Sequence, residues 1–353
     1  MMNSKLMRNT TIDNAKGIGI LAVVLSHNWY SLTVQGELFR VLFSFHMPLF
    51  FFLSGIFFKV HSQWMDLLKS KADSILKPFF VVSLGLFFTH VLLQTPINKV
   101  DYLQGILYAA GSTIEWGPMW FLPHLFAVFV FSWLISQLVF NKIQSLNIKF
   151  LLLFMLLFLG VQTITLFWET NISIEAIKHF LKIEHWKGLP YSVDIILISS
   201  AFFIAGHFLA DKLKNFTPNL VLTILAVALF SGLHYFFNET MVLANREYGN
   251  FIISTLQALL GIYIVLSVSG YATLQTKLNA ALSYIGSASL FILIFHFNVQ
   301  AHITFSFLYH YPRQHFVAAL LGFLLSVACS LIIFEITKRY KVLQMLMLPL
   351  KIK

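Results

Sequence analysis

Ten apolar runs of membrane length divide this chain of 353 residues. Hydrocarbon offers no water to backbone N–H and C=O groups, so a spanning segment of this kind must satisfy them within itself, as an α-helix. About 20 apolar residues make a helix that crosses a core of roughly 30 Å. With 58% hydrophobic and only 11% charged residues, the chain lies well outside the composition of a soluble domain. The expected fold is all-α and polytopic. It forms a single membrane domain over 1–353, with helices near 14–32, 39–58, 77–97, 118–140, 150–168, 190–210, 218–237, 248–270, 284–308 and 315–335. No internal repeat or low-complexity tract interrupts it.

A formal net charge of +10 is compatible with nucleic-acid binding, but its distribution along the chain argues for topology instead. With ten spans both termini share one side. The termini and even-numbered loops then hold seventeen Lys and Arg, including Lys5, Arg8, Lys59, Lys69, Lys71 and Lys77. The odd-numbered loops hold seven: Arg40, Lys99, Lys178, Lys182, Lys187, Arg246 and Arg313. Positive residues collect on the cytoplasmic side, so both termini are expected there and no nucleic-acid partner is expected. The segment Lys59 to Lys77 reads as a basic cytoplasmic loop. The outer loops at 98–117 and 169–189 are the longest and have room for short interfacial helices. Asn171-Ile172-Ser173 and Asn238-Glu239-Thr240 are sequons on outer loops. The single cysteine, Cys329, can form no disulfide within the chain, and no zinc-type cysteine cluster is possible; no metal site is expected. The early basic residues imitate a signal peptide, but Asp13 and Lys16 intrude and no small-residue cleavage pattern follows. This segment reads as the first membrane helix.

One pair of ionisable residues stands out inside that helix. Lys16 and His27 are eleven residues apart, three helical turns plus about 20°, so they share one face. The rise between them is roughly 16 Å, about half the hydrocarbon core. A cation at the membrane surface aligned with an imidazole at depth is costly, and ionisable groups placed so are usually functional. Asp13, three residues before Lys16, is on the same side and suited to pair with it. His46 opens the second span from the outer side, next to Met47-Pro48, and His296 falls within the ninth.

Several motifs then resemble a known family. Asp13-x-x-Lys16-Gly17 followed by His27 resembles the Arg/Lys-x10-His signature of acyltransferase family 3, the integral-membrane acyltransferases that modify bacterial surface glycans. Phe45-His46-Met47-Pro48 through Ser54-Gly55 looks like its second-helix motif. Trp116-Gly117-Pro118-Met119-Trp120-Phe121-Leu122-Pro123 is similar to its "WFLP" segment. Tyr248-Gly249-Asn250, and Tyr284-Ile285-Gly286-x-x-Ser289-Leu290 with His296 beyond, are further landmarks. The nearest branch by likeness is the fucose 4-O-acetylase-like proteins. Two departures are visible: the first-helix cation is Lys rather than the commoner Arg, and the Arg-x-x-Arg of some members is absent, leaving Lys69, Lys71 and Lys77 as the comparable cations.

The resemblance implies transfer of an acyl group, usually acetyl, from cytoplasmic acetyl-CoA to a sugar hydroxyl of a glycan or lipid-linked oligosaccharide. The setting would be the bacterial cytoplasmic membrane, with acetyl-CoA as co-substrate, no permanently bound cofactor, and membrane lipid as surroundings. His27 would be the general base that takes the hydroxyl proton, or the nucleophile that carries the acyl group; sequence leaves both open. His46 would poise the acceptor near it. Lys16, near a helix N-terminus and steadied by Asp13, suits a CoA phosphate, with Lys69, Lys71 and Lys77 as further contacts. Glu115, Trp116 and His296 would orient the sugar.

His61 and Asp66 have the His-x4-Asp spacing of glycerolipid acyltransferases, but no Gly-rich acceptor motif accompanies them. A transporter or flippase of a lipid-linked sugar could use His27, His46 and His296 as a proton relay. Such proteins often carry inverted repeats, and none is evident here. Trp120 and His124 read as packing and interface residues, and His90 as a span-end residue needing no special role.

Overall fold

The computed structural model describes residues 9–28, 36–61, 63–165 and 188–350. Helices occupy all ten predicted places. In chain order they are α1 (Thr10–Ser26), α2 (Glu37–Ile56), α3 (Trp64–Leu92), α4 (Lys99–Tyr108), α5 (Phe121–Leu138), α6 (Leu146–Ile164), α7 (Ile196–Phe208), α8 (Ala210–Lys214), α9 (Leu220–Phe236), α10 (Phe251–Ala272), α11 (Thr276–Ser287), α12 (Ser289–His310), α13 (His315–Arg339) and α14 (Lys341–Met347). Eight segments among the described residues are long and apolar enough to span a bilayer. α1 and α9, at 17 residues each, fall just short by length. Two-residue strands, Met241–Val242 and Glu247–Tyr248, pair before α10 and are a small exception to an all-helical chain.

Three elements differ from expectation. Residues 64–71, read as part of a basic loop, are helix and run without a break into the third span. Leu and Lys are good helix formers, Asp66 sits in the first turn, Lys69 and Lys71 complement the last, and Leu67 is buried. A π-helical stretch, Ala72–Leu76, joins the two parts. The ninth span begins at Ser289 rather than 284. Before it, α11 is a separate helix of mixed polarity, packed on α1. The first helix ends at Ser26, not 32, and residues 29–35 lie outside the described set. The expected outer-loop helix at 98–117 is present as α4, capped by the Asn98 side chain on the Val100 and Asp101 amides. Most of 169–189, with the Asn171 sequon, also lies outside the described residues.

The chain falls into two compact units. The first comprises Met1–Ile56, Phe208–Met241 and Ile252–Leu331; the second comprises Phe57–His207, Val242–Phe251 and Ile332–Lys353. In the first, α1 is the centre: α11 lies along it, and α2 and α12 pack on its other sides. In the second, α5 packs against the 64–76 segment, and Phe58, Phe129 and Phe203 form an aromatic core with ring centroids 4.7 to 6.2 Å apart.

Candidate active site

In the first unit the site is built on α1, and its N-terminal half is held by polar contacts. Asn9 caps the helix through the Ile12 amide, and its own amide donates to the carbonyls of Leu213 and Lys214 at the end of α8. Asn14 is fully buried. It donates to the Ser269 carbonyl at 3.3 Å and to Asn279 Oδ1 at 2.9 Å, and accepts from Ser283 Oγ at 2.8 Å. Beside it, α1 and α11 approach backbone to backbone. A Cβ on Gly17 would press on the Leu282 carbonyl, and one on Gly286 would press on that of Asp13. Only glycine permits this on both sides. Two of the motifs noted above, Asp13–Gly17 and Tyr284–Gly286, are thus the two halves of one joint.

Lys16 lies on a neighbouring face of α1, half-buried, with Ile20, Val23 and His27 following at helical spacing. Ile20 and Val23 are 1% and 2% exposed, so the stripe between cation and imidazole is sealed by aliphatic side chains. His27 is the residue that closes the helix, and its backbone N–H still bonds the Val23 carbonyl, at 3.1 Å, in helical register. Asp13 is in the first turn of α1, half-buried, where the helix dipole favours a carboxylate.

Three histidines meet at the far end of this stripe. The His27 ring centroid is 5.3 Å from that of His296 on α12, edge to face, and 6.1 Å from Phe43 on α2. Phe43 in turn lies 4.8 Å from His46, so one aromatic ring contacts both imidazoles. All three histidines use the same local bond. Nδ1 of His27 reaches the Val23 carbonyl at 2.9 Å, that of His46 the Leu42 carbonyl at 2.7 Å, and that of His296 the Ile292 carbonyl at 2.7 Å. A carbonyl oxygen only accepts, so each Nδ1 carries the hydrogen. In the neutral ring Nε2 then keeps its lone pair, the form a proton acceptor needs. His46 and His296 are 1% and 0% exposed, and His296 Nε2 has no hydrogen-bond partner among the described residues. Pro48, inside α2 and two residues beyond His46, removes the donor that the Ser44 carbonyl would otherwise take.

This joint and the histidine cluster both fall within residues 9–335, which match a protein-family model described as an acyltransferase domain, Acyl_transf_3. The chain belongs to acyltransferase family 3. No curated protein and no solved structure shows significant similarity to it. The family region runs through both units, so it covers the first-helix site and the elements of the second unit alike.

The other predicted site residues of this family 3 chain belong to the second unit. Lys69 is exposed on α3. Lys71 Nζ sits 4.0 Å over the Phe129 ring, a cation–π contact. Lys77 Nζ bonds Asp73 at 2.6 Å and the Leu348 carbonyl at 2.7 Å, while Asp73 accepts from the Leu350 amide at 2.6 Å. Its ammonium therefore ties down the segment after α14. Trp116 is half-buried ahead of the 3-10 turn Gly117–Trp120. Glu115 is exposed, and its Oε2 takes bonds from Tyr102 OH at 2.5 Å and His90 Nε2 at 2.9 Å. Burial, together with the Glu115 carboxylate, pushes the Tyr102 phenol up from its usual range. His90 thus has a defined partner that its position at a span end did not reveal.

Sequence reading also missed a buried polar network in this unit. Asp194 and Arg246 pair at 2.7 Å with side chains 5% and 1% exposed, in a two-bond fork completed at 3.0 Å. Asp194 also accepts from the Leu189 amide. His124 is fully buried, with Nδ1 donating to the Tyr191 carbonyl at 3.0 Å and Nε2 2.8 Å from Ser199 Oγ. Tyr108 donates to the Gly188 carbonyl at 2.6 Å, and its phenol is pushed up to about 12, chiefly by burial and then by Asp194. Arg246 looked like one more loop cation because its partner is 52 residues away.

Proposed function

We propose that this protein moves an acetyl group from cytoplasmic acetyl-CoA to a sugar hydroxyl of a surface or lipid-linked glycan, in a bacterial inner membrane with both chain termini cytoplasmic. Membership of acyltransferase family 3 supports the transfer. The observation that carries the site is the 2.9 Å contact between His27 Nδ1 and the Val23 carbonyl: since the carbonyl only accepts, Nδ1 holds the hydrogen, which leaves Nε2 as the lone pair on the ring beside His296. In this reading Nε2 takes the hydroxyl proton as the oxygen attacks the thioester carbon. The tetrahedral adduct collapses, the C–S bond breaks, and the proton passes from His27 to the departing sulfur, giving ester and free CoA thiol. Lys16, at the N-terminal end of the stripe, would attract a CoA phosphate. In the second unit, taken by itself, Lys69 and Lys71 are further cations suited to a phosphate. The sealed Ile20–Val23 stretch means that a donor arm following this stripe would have to displace those side chains. His46 would steady the acceptor; in the second unit, taken by itself, Glu115 and Trp116 are groups suited to sugar hydroxyls. The acceptor class follows the fucose 4-O-acetylase-like likeness of the motifs.

The test is release of free thiol from acetyl-CoA by purified protein in the presence of glycan acceptors. His27→Gln should lower the rate by about 10²–10⁴-fold, the usual worth of a general base. In the wild type the rate should fall as pH drops, because protonated Nε2 accepts nothing. Undiminished release by His27→Gln would remove His27 from the chemistry.

A further inference from the structure

The face of α12 that carries His296 continues one turn on to Gln300. This residue is 2% exposed, and neither Nε2 nor Oε1 has a hydrogen-bond partner among the described residues. A buried amide with both ends bare is costly, and folded proteins seldom leave one without a purpose. Residues four apart on a helix stack on one face, so Gln300 follows His296 directly. The adjacent helix α13 comes close at Gly322, where an added Cβ would lie 3.3 Å from Gln300 Cγ. One turn earlier on α13, the Ala319 carbonyl accepts from Asn28 Nδ2 at 2.9 Å. Asn28 is the neighbour of His27. The same stretch of α13 therefore braces Gln300 and the residue next to His27, and Gln300 lies one helical turn from His296 on the face that carries it.

The two bare ends choose among ligands. A thioester carbonyl only accepts, so it would answer Nε2–H and leave Oε1 unbonded. An acyl chain would answer neither. Two neighbouring sugar hydroxyls answer both, one donating to Oε1 and the other accepting from Nε2–H. We propose that Gln300 is an acceptor-binding residue that grips a pair of adjacent hydroxyls and thereby sets which hydroxyl is presented to His27. This rests on the acyl-transfer reading above and adds the residue that selects the acceptor.

The probes are octyl glucoside, galactoside and mannoside, with their monodeoxy analogues, as acceptors for acetyl-CoA. Wild type should favour the parent glycosides over analogues lacking a hydroxyl next to the acylated one. Gln300→Met should raise acceptor KM at least about tenfold more than acetyl-CoA KM, and should lose most of that preference. Its melting temperature without acceptor should equal or exceed that of wild type, because a bare amide has been replaced by an apolar chain of similar size. Gln300→Glu, which keeps one bonding end, should fall between the two in preference. A Gln300→Met protein that melts earlier or fails to fold shows an amide holding the fold and overturns the proposal. So does a wild type that releases thiol from acetyl-CoA but takes no glycoside or shows no preference. A wild type that releases no thiol overturns the transferase reading beneath it.

Discussion

The Gly17–Gly286 joint makes a quantitative demand on this protein. With Gly17→Ala, the new Cβ would lie 3.1 Å from the Leu282 carbonyl carbon and 3.3 Å from its Cα, with the carbonyl oxygen nearer still. With Gly286→Ala, the Asp13 carbonyl carbon and the Gly17 nitrogen would each be 3.1 Å away, again with an oxygen inside them. All of these atoms are backbone, so no rotamer change relieves the clash. Restoring ordinary contact, roughly 3.5–4 Å between carbons, separates α1 from α11 by about 1 Å. Overpacking of this kind costs about 1–3 kcal/mol. Replacing glycine by alanine in a helix returns up to about 1 kcal/mol. The net loss of stability is therefore small, about 0–2 kcal/mol by difference. Catalysis should suffer more, because a displacement of about 1 Å at a reacting group can cost 10²-fold, and α1 carries both Lys16 and His27. Each single variant should melt only slightly earlier yet lose about ten- to a hundredfold in thiol release from acetyl-CoA. The double variant should lose less than the sum in stability, since one separation relieves both clashes. Gly85→Ala and Gly232→Ala, where an added Cβ meets nothing within 4 Å, are the controls and should be neutral or stabilising. Wild-type rate and melting temperature in Gly17→Ala would refute the reasoning.

In the second unit, Arg246→Met leaves the Asp194 carboxylate buried without its fork and should cost about 3–5 kcal/mol in thermal unfolding, whereas Arg246→Met with Asp194→Leu should recover most of it. Lys77→Met should free the segment from Leu348 onward, seen as faster protease clipping near residues 341–350 with the remaining chain intact.

Part of this molecule is readable without coordinates. A span in lipid must bond its own backbone within a short stretch of chain, so apolar run length is enough to locate ten helices. The register of Lys16 and His27 follows from helix geometry alone, and the helix keeps it to the residue that ends it. Other features failed to show for identifiable reasons. The 64–71 segment reads as a loop because its lysines fit a basic cytoplasmic surface equally well; in the structure the same Leu and Lys residues form helix. α11 was invisible as a separate helix because its value lies in Gly286, a residue with no side chain to betray a partner. Arg246, His90 and His124 seemed ordinary because the groups that bond them are 52, 25 and 75 residues away.

By itself, the order of residues determined what is local: which stretches become helix, which face each residue takes, and that a cation and an imidazole share one. Only the tertiary structure decided what stands opposite that face. It set Phe43 against both His27 and His46, brought His296 to His27, sealed Ile20 and Val23 between the ends of the stripe, and left the Gln300 amide, one turn from His296, without a hydrogen-bond partner among the described residues. The physical reason is range. Backbone hydrogen bonds and helical periodicity act over about four residues, whereas which helices neighbour one another depends on glycine approaches and buried polar pairs that close over hundreds.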